Sequence, residues 1–305
     1  MRKLLALTML ALLAGCSPTG PRGLDAGQKL KVMAATPHLA SLAMAIAGDA
    51  AIVEMLPAPD RPTHDYSPTM DDRRRLESAH LLLINGLQLE TFDAPAIAAA
   101  AHLTLVDCSK DLPPTFLIHA DDDENSHEGH GHGHGQHNPH VWLCTEGAML
   151  QSVAITRAMV EKDPAHALVY EKNRAALEAS LKALRAEFEA RLKALARTQF
   201  VSNHDAFPYF AREFGLKQVG VIQRTPGTNP TMAERRDIEE TLRKGGAAAI
   251  FLEPGYDDTA SRAIANAAGV KLATLDPFDS GKPGPEALQA VLRRNLETVV
   301  TTLGP

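Results

Sequence analysis

Histidine is the residue type here that promises chemistry. Six of the chain's 13 histidines fall in one stretch, SHEGHGHGHGQHNPHVWL, residues 126–143. Neutral imidazole is a good ligand for borderline divalent metals. The stretch divides in two. His127, His130, His132, His134 and His137 are interleaved with glycine, a flexible low-complexity pattern that attracts metal without building a cage. From Asn138 the chain changes to Asn-Pro-His-Val-Trp-Leu, whose apolar residues can pack and so fix His140. The first part is expected to gather metal and His140 to help hold it.

Two more histidines and one aspartate stand beside strong local structure. His64, in PTHDYSPTMDDRRRL, follows an expected strand and precedes a helix capped by Thr69. His204, in VSNHDAFPYFAREFGL, and Asp276, in LATLDPF, close expected strands. Ligands of open α/β sheets bind beyond the carboxyl ends of strands. Three imidazoles and one carboxylate would suit tetrahedral Zn(II). No short-range zinc motif is present: His127 and His130 in HEGH are too close for His-Glu-x-x-His, and no paired Cys-x-x-Cys occurs. Glu253, in FLEPGY, ends another strand and could orient a ligand histidine or open a helix. His38 borders the same region, in a non-ligand role. Cys144 could bind zinc as thiolate but reads as structural, and the run Asp121–Glu124 reads as a solvated charge cluster.

The elements that must position these residues alternate between strand and helix. Expected strands are Leu30–Ala35, Ile52–Leu56, Leu81–Asn85 and Leu103–Asp107 in the first half. In the second half they are Phe200–Asn203, Gln218–Ile222, Ala248–Leu252 and Lys271–Leu275. Helical stretches such as His38–Ala47 and Met70–Ser78 intervene, and Thr231-Met-Ala-Glu234 is a capping box that opens another. The pattern predicts an α/β protein of two lobes, each a mainly parallel sheet flanked by helices. Between the halves, Asp163-Pro164 reads as a helix start, and Leu177, Leu181, Leu184, Phe188, Leu192 and Leu195 recur at helical spacing. One long backbone helix, residues 163–197, is expected to join an N-terminal lobe, 28–162, to a C-terminal lobe, 198–305. The insert 121–137 forms a loop of the first lobe.

The chain opens MRKLLALTMLALLAGC. Arg2 and Lys3 precede a short apolar core, Leu4–Leu13, that ends in Leu-Ala-Gly-Cys16 and resembles a bacterial lipobox. Residues 1–15 are then a lipoprotein signal peptide, Cys16 is the lipidated N-terminus, and 16–27 is a tether. The protein is expected to be extracytoplasmic and membrane-anchored, in the periplasm or at the cell surface. The net charge of −6 argues against nucleic acid, and 5% aromatics argue against a stacking groove. Beyond Cys16 only Cys108 and Cys144 remain, and whether they pair is left open.

The order of lipobox, His-Asp-Tyr-Ser-Pro, histidine-rich insert, Asn-Pro-His-Val-Trp-Leu, long helix, Asn-His-Asp-Ala-Phe-x-Tyr-Phe and Leu-Asp-Pro resembles the substrate-binding lipoproteins of zinc and manganese ABC importers, the zinc-uptake branch in particular. The resemblance covers essentially the whole mature chain. It implies two α/β lobes joined by a long helix, with the ion between them held by His64, His140, His204 and Asp276. It implies no catalysis, a permease and its ATPase as partners, and a monomer. Manganese members usually carry glutamate where this chain has His204, which points to Zn(II) as transported ligand rather than Mn(II). Two departures are Cys144, where an acidic residue is frequent, and Thr63, where some zinc members have glutamate. The rival readings are a lipid-anchored zinc hydrolase, for which no general base is evident, and a surface protein that buffers metal through the insert alone.

Overall fold

The computed structural model describes residues 20–119, 136–223 and 228–304. Among the described residues the apolar runs form eight short strands in two four-stranded parallel sheets. The first lobe contains β1 (Leu30–Ala34), α1 (Pro37–Ala47), β2 (Ala51–Met55), α2 (Met70–Leu76), β3 (Leu81–Ile84), α3 (Ala94–Ala100) and β4 (Thr104–Asp107). Helices α4 (Thr145–Lys162) and α5 (Ala167–Lys193) follow. The second lobe contains β5 (Gln199–Ser202), α6 (Pro208–Phe214), β6 (Lys217–Val221), α7 (Met232–Arg243), β7 (Ala249–Leu252), α8 (Thr259–Ala268), β8 (Lys271–Thr274) and α9 (Ala287–Leu303).

The strand orders are β2-β1-β3-β4 and β6-β5-β7-β8, the same winding twice. In each sheet the chain reverses direction of travel between the first and third strands. Crevices form at such switch points. In the second lobe the residues leaving the switch are His204, after β5, and Glu253, after β7. In the first they are His38, after β1, and Asn85, after β3.

Side chains on α5 explain why the lobes are joined stiffly. Leu177, Leu181, Leu184, Phe188 and Leu192 repeat every three or four residues and are buried as one stripe. They share a single apolar cluster with Leu39, Leu42 and Ile46 of α1 and with Leu292, Leu296 and Val299 of α9. At about 1.5 Å per residue, the 27 residues of α5 make a rod of about 40 Å. Burying each leucine contributes about 1.5–3 kcal/mol of transfer free energy, and the continuous core resists hinging of the lobes.

The connecting helix differs from expectation at both ends. Asp163 does not cap it. Its carboxylate accepts from Tyr170 Oη at 2.6 Å and lies 2.8 Å from His166 Nδ1, and Pro164–His166 form a 3-10 turn. The helix therefore starts at Ala167, ends at Lys193, and is preceded by the separate 18-residue α4. Capping boxes do occur at Thr69 with Asp72 and at Thr231 with Glu234. Cys108 and Cys144 are both buried free thiols. Among the described residues no helix is long and apolar enough to cross a membrane.

Candidate metal centre

Each of the three histidine segments is locked by its own neighbourhood. His64 lies in the 3-10 turn Thr63–Asp65. Thr63 ties that turn to the second lobe: its N–H and Oγ1 donate to the Asp279 carbonyl at 3.0 and 2.6 Å. His140 precedes the 3-10 turn Val141–Leu143, whose three apolar side chains are buried. The start of α4 packs so tightly there that any side chain at Gly147 would collide with the Val141 carbonyl. Glu213 of α6 secures the same helix start, accepting from Thr145 N at 2.7 Å and from Thr145 Oγ1 at 2.6 Å. This places a carboxylate at the positive end of the helix.

Hydrogen bonds select the imidazole nitrogen that His140 and His204 present. Asn138 Oδ1 accepts from His140 N at 3.0 Å and lies 3.0 Å from His140 Nδ1. That places the His140 proton on Nδ1 and leaves Nε2 as the donor atom. Glu253 does the same for His204. Oε1 accepts the His204 backbone N–H at 3.0 Å and Oε2 lies 3.3 Å from Nδ1. Burial alone would favour neutral His204, but the Glu253 carboxylate outweighs it and holds the imidazole pKa above its ordinary value.

His64, His140 and His204 converge, with one ligand atom from each within 4.8 Å of the others. They are 9%, 0% and 1% exposed, so the group lies inside the protein. His64 Nε2 and His140 Nε2 are 3.2 Å apart. Zn–N bonds of about 2.0–2.1 Å in tetrahedral geometry place two donor nitrogens about 3.3 Å apart. This pair already has the spacing of two ligands on one ion. Among the described residues this is the only group of three or more such side chains with the geometry to hold a metal.

Asp276, expected as the fourth ligand, is not part of the three-histidine group. Its Oδ1 accepts from Phe278 N at 2.8 Å and its Oδ2 lies 3.4 Å from Arg294 Nη2. The aspartate is spent on a tight turn of its own backbone, where Phe278 takes the left-handed φ of 53°. Asp279, which the sequence did not single out, lies in the same loop and is likewise outside the three-histidine group. Asp279 is 4% exposed, accepts from Tyr256 Oη at 2.7 Å and lies within electrostatic reach of His204. Burial raises its pKa, Tyr256 opposes the rise, and a cation beside it would favour the carboxylate. The sequence signal was available, since Leu-Asp-Pro-Phe-Asp offers two aspartates in one loop.

Other candidates fall elsewhere. Cys144 is the N-cap residue of α4, with Sγ accepting from Gly147 N at 3.3 Å, and burial pushes its thiol pKa up. It is not part of the three-histidine group. His38 is fully buried behind the group and stacks on Trp142 at 3.8 Å and 7°. Its Nε2 is 3.2 Å from Asn85 Oδ1, and Asn85 Nδ2 donates to the Pro139 carbonyl at 3.1 Å. The first lobe's switch point thus supports the segment carrying His140. His137 lies at the edge of the insert, opposite His119. Cys16, His127, His130, His132 and His134 lie outside the described residues.

A family model described as zinc-uptake complex component A, periplasmic (ZnuA), matches residues 32–302. The chain is 28% identical over 274 residues to the iron-binding protein YfeA of Yersinia pestis, covering 86% of this chain and 82% of that one. It is also 28% identical over 274 residues to the high-affinity zinc uptake system protein ZnuA of Bacillus subtilis (strain 168), covering 88% and 85%. The solved structure of the substrate-binding protein FpvC from Pseudomonas aeruginosa with Mn2+ superposes with a TM-score of 0.78 at 26% identity, covering 90% of this chain and 98% of that one. These relatives agree on metal and differ on which metal.

Proposed function

The chain belongs to the family of zinc-uptake complex component A, periplasmic, and from that premise we propose that it captures Zn(II) outside the cytoplasmic membrane and delivers it to an ABC permease. As a family member it is a metal-binding substrate-binding protein of an importer, not an enzyme, and its partners are a permease and its ATPase. The zinc preference is our reading of the donor set. Three buried imidazoles within 4.8 Å of one another carry it. Imidazole suits zinc, whereas manganese favours a set dominated by oxygen.

We assign His64, His140 and His204 as ligands and Asp279 as the fourth donor. The first two come from one lobe and the last two from the other, so binding ties the lobes together. Glu253 and Asn138 hold His204 and His140 in the tautomer that presents Nε2. Release to the permease then requires loosening the contacts across the cleft. These include Thr63 to the Asp279 carbonyl, Gly281 N to the Pro59 carbonyl at 2.6 Å, and Trp142 Nε1 to the Pro277 carbonyl at 2.9 Å.

The protein acts, in this reading, as a monomer anchored through lipidated Cys16 after loss of residues 1–15. Cys16→Ser should release it into the soluble exported fraction. The insert with His127, His130, His132, His134 and His137 binds further zinc weakly and is dispensable for the cleft ion.

The deciding experiment is competitive metal binding by the chain lacking residues 121–135, as wild type, His204→Ala and His204→Glu. Wild type should prefer Zn(II) strongly over Mn(II), His204→Ala should lose most zinc affinity, and His204→Glu should lose less while gaining relative tolerance of manganese. A wild-type preference for manganese or iron, or an unaffected His204→Ala variant, would overturn the zinc reading.

A further inference from the structure

Two histidines that the cleft does not use face each other where the histidine-rich insert leaves the fold. His119 and His137 form an antiparallel bridge. Their ring centroids are 4.6 Å apart and their planes 36° from parallel. Asn138 N donates to the Ile118 carbonyl at 2.9 Å. That bond marks His119 and His137 as a pair not hydrogen-bonded to each other through the backbone, the kind whose side chains approach most closely. Directly opposed residues of such a pair also leave the same face.

The base of this bridge is fixed by the second lobe. Buried Tyr209 of α6 accepts from Ile118 N at 3.0 Å, and its hydroxyl donates to the Asn138 carbonyl at 3.0 Å. One hydroxyl therefore pins the residue before His119 and the residue after His137. Beyond the pin, His119 is exposed and His137 half-buried, so solvent reaches the pair. Asn138 also continues directly into the cleft, where its Oδ1 faces His140 Nδ1.

We propose that His119 and His137 form a preformed two-imidazole zinc site at the root of the insert, separate from the cleft site, and that it stages ions for the cleft. The staging role rests on the zinc-capture reading above; the site itself does not. Two imidazoles on a pinned backbone lose little freedom when they chelate. That lowers the ordering cost of binding at the pair. Water completes the tetrahedron at the root pair, so the ion remains exchangeable.

The test is zinc titration of the full chain by calorimetry, with capture kinetics followed through the fluorescence of Trp142. Trp142 is the chain's single tryptophan, and its ring lies 5.1 Å from that of His140. Three proteins are compared: wild type, the variant with His127, His130, His132 and His134 all changed to Asn, and the double variant H119A/H137A. The fourfold variant should still bind one weak zinc equivalent beyond the cleft ion. The double variant should lose one weak equivalent and load the cleft severalfold more slowly at limiting zinc. Its cleft affinity should stay within about twofold of wild type, as expected for separate sites, and that tight phase also reports an intact fold. If the fourfold variant binds only the cleft ion, or the double variant binds as many ions as wild type, the root site is wrong. Loss of the weak equivalent at an unchanged loading rate would overturn the staging role. A missing tight phase in wild type would count against the cleft reading instead, leaving the root site to be judged on the weak phase alone.

Discussion

His204 and Glu253, 49 residues apart, meet as a buried imidazole–carboxylate pair at the ends of β5 and β7, with Nδ1 to Oε2 at 3.3 Å. The same carboxylate accepts the His204 backbone N–H at 3.0 Å. One side chain thus fixes the position, tautomer and basicity of an imidazole in the three-histidine group.

Glu253→Gln is expected to weaken zinc by about 10–100-fold, the usual cost of losing a group that orients a ligand histidine. The pH dependence should move as well. Zinc needs neutral His204, and Glu253 raises the imidazole pKa, so protons compete up to a higher pH in wild type. Without the carboxylate the His204 pKa drops, so the pH below which zinc affinity starts to fall moves lower, while the affinity above that pH is weaker. In the metal-free protein the pair stabilises below the ordinary pKa of about 6.5 and fades as pH rises through the raised value. Apparent zinc affinity measured across pH 5–8 reads the first effect, and an unmoved onset of its fall would show that Glu253 does not tune His204.

The two aspartates of Leu-Asp-Pro-Phe-Asp should separate cleanly. Asp279→Asn is expected to weaken zinc, because it removes a buried charge close to His204. Asp276→Asn should leave zinc nearly unchanged and cost about 1 kcal/mol of stability, through the weakened bond to Phe278 N. Chelator competition combined with urea unfolding measures both quantities. A greater zinc defect in the Asp276 variant would reverse the assignment.

His38 should make the first lobe acid-sensitive. Burial lowers its pKa to about 3, the hydrogen bond to Asn85 opposing the fall. A depressed folded pKa means that the unfolded chain takes up the proton first. The stability is therefore present above the unfolded pKa of about 6.5 and is lost as pH falls from there toward 3. The slope approaches about 1.4 kcal/mol per pH unit for one proton. His38→Phe keeps a ring against Trp142 and cannot titrate. It should be less stable than wild type at pH 7, with the gap narrowing at pH 5. Parallel urea-midpoint curves would refute this.

Along α5, buried and exposed contacts should differ sharply. Leu181 is 0% exposed in the core shared by the lobes, so Leu181→Ala should cost about 2–5 kcal/mol in urea unfolding. Arg191 makes an exposed ion pair with Glu297 of α9 at 2.7 Å, and Arg191→Ala should cost less than about 1 kcal/mol. Comparable losses in the two variants would mean that surface charge, not the apolar stripe, joins α5 to α9.

The eight strands of the described residues were legible along the chain to within a residue or so at each end, because strands of covered parallel sheets are short apolar runs set off by loop residues; in the same way the chain can be read for its functional segments. The sequence also marked the segments around His64, His140 and His204, since each joins a histidine to packing residues. It could not determine the helix boundary at Asp163, where a side chain suited to capping is drawn to Tyr170, a partner that only the packing of the following turn supplies. It left open the pairing of Cys108 and Cys144, which are separate thiols in the fold. It pointed to Asp276 and did not single out Asp279; how the two carboxylates stand to the histidines depends on the path of a loop reversing at Phe278. Periodicity and capping act between residues a few positions apart and can be read along the chain. The meeting of His64, His140 and His204 spans 140 positions and depends on where two sheets come to rest against one helix.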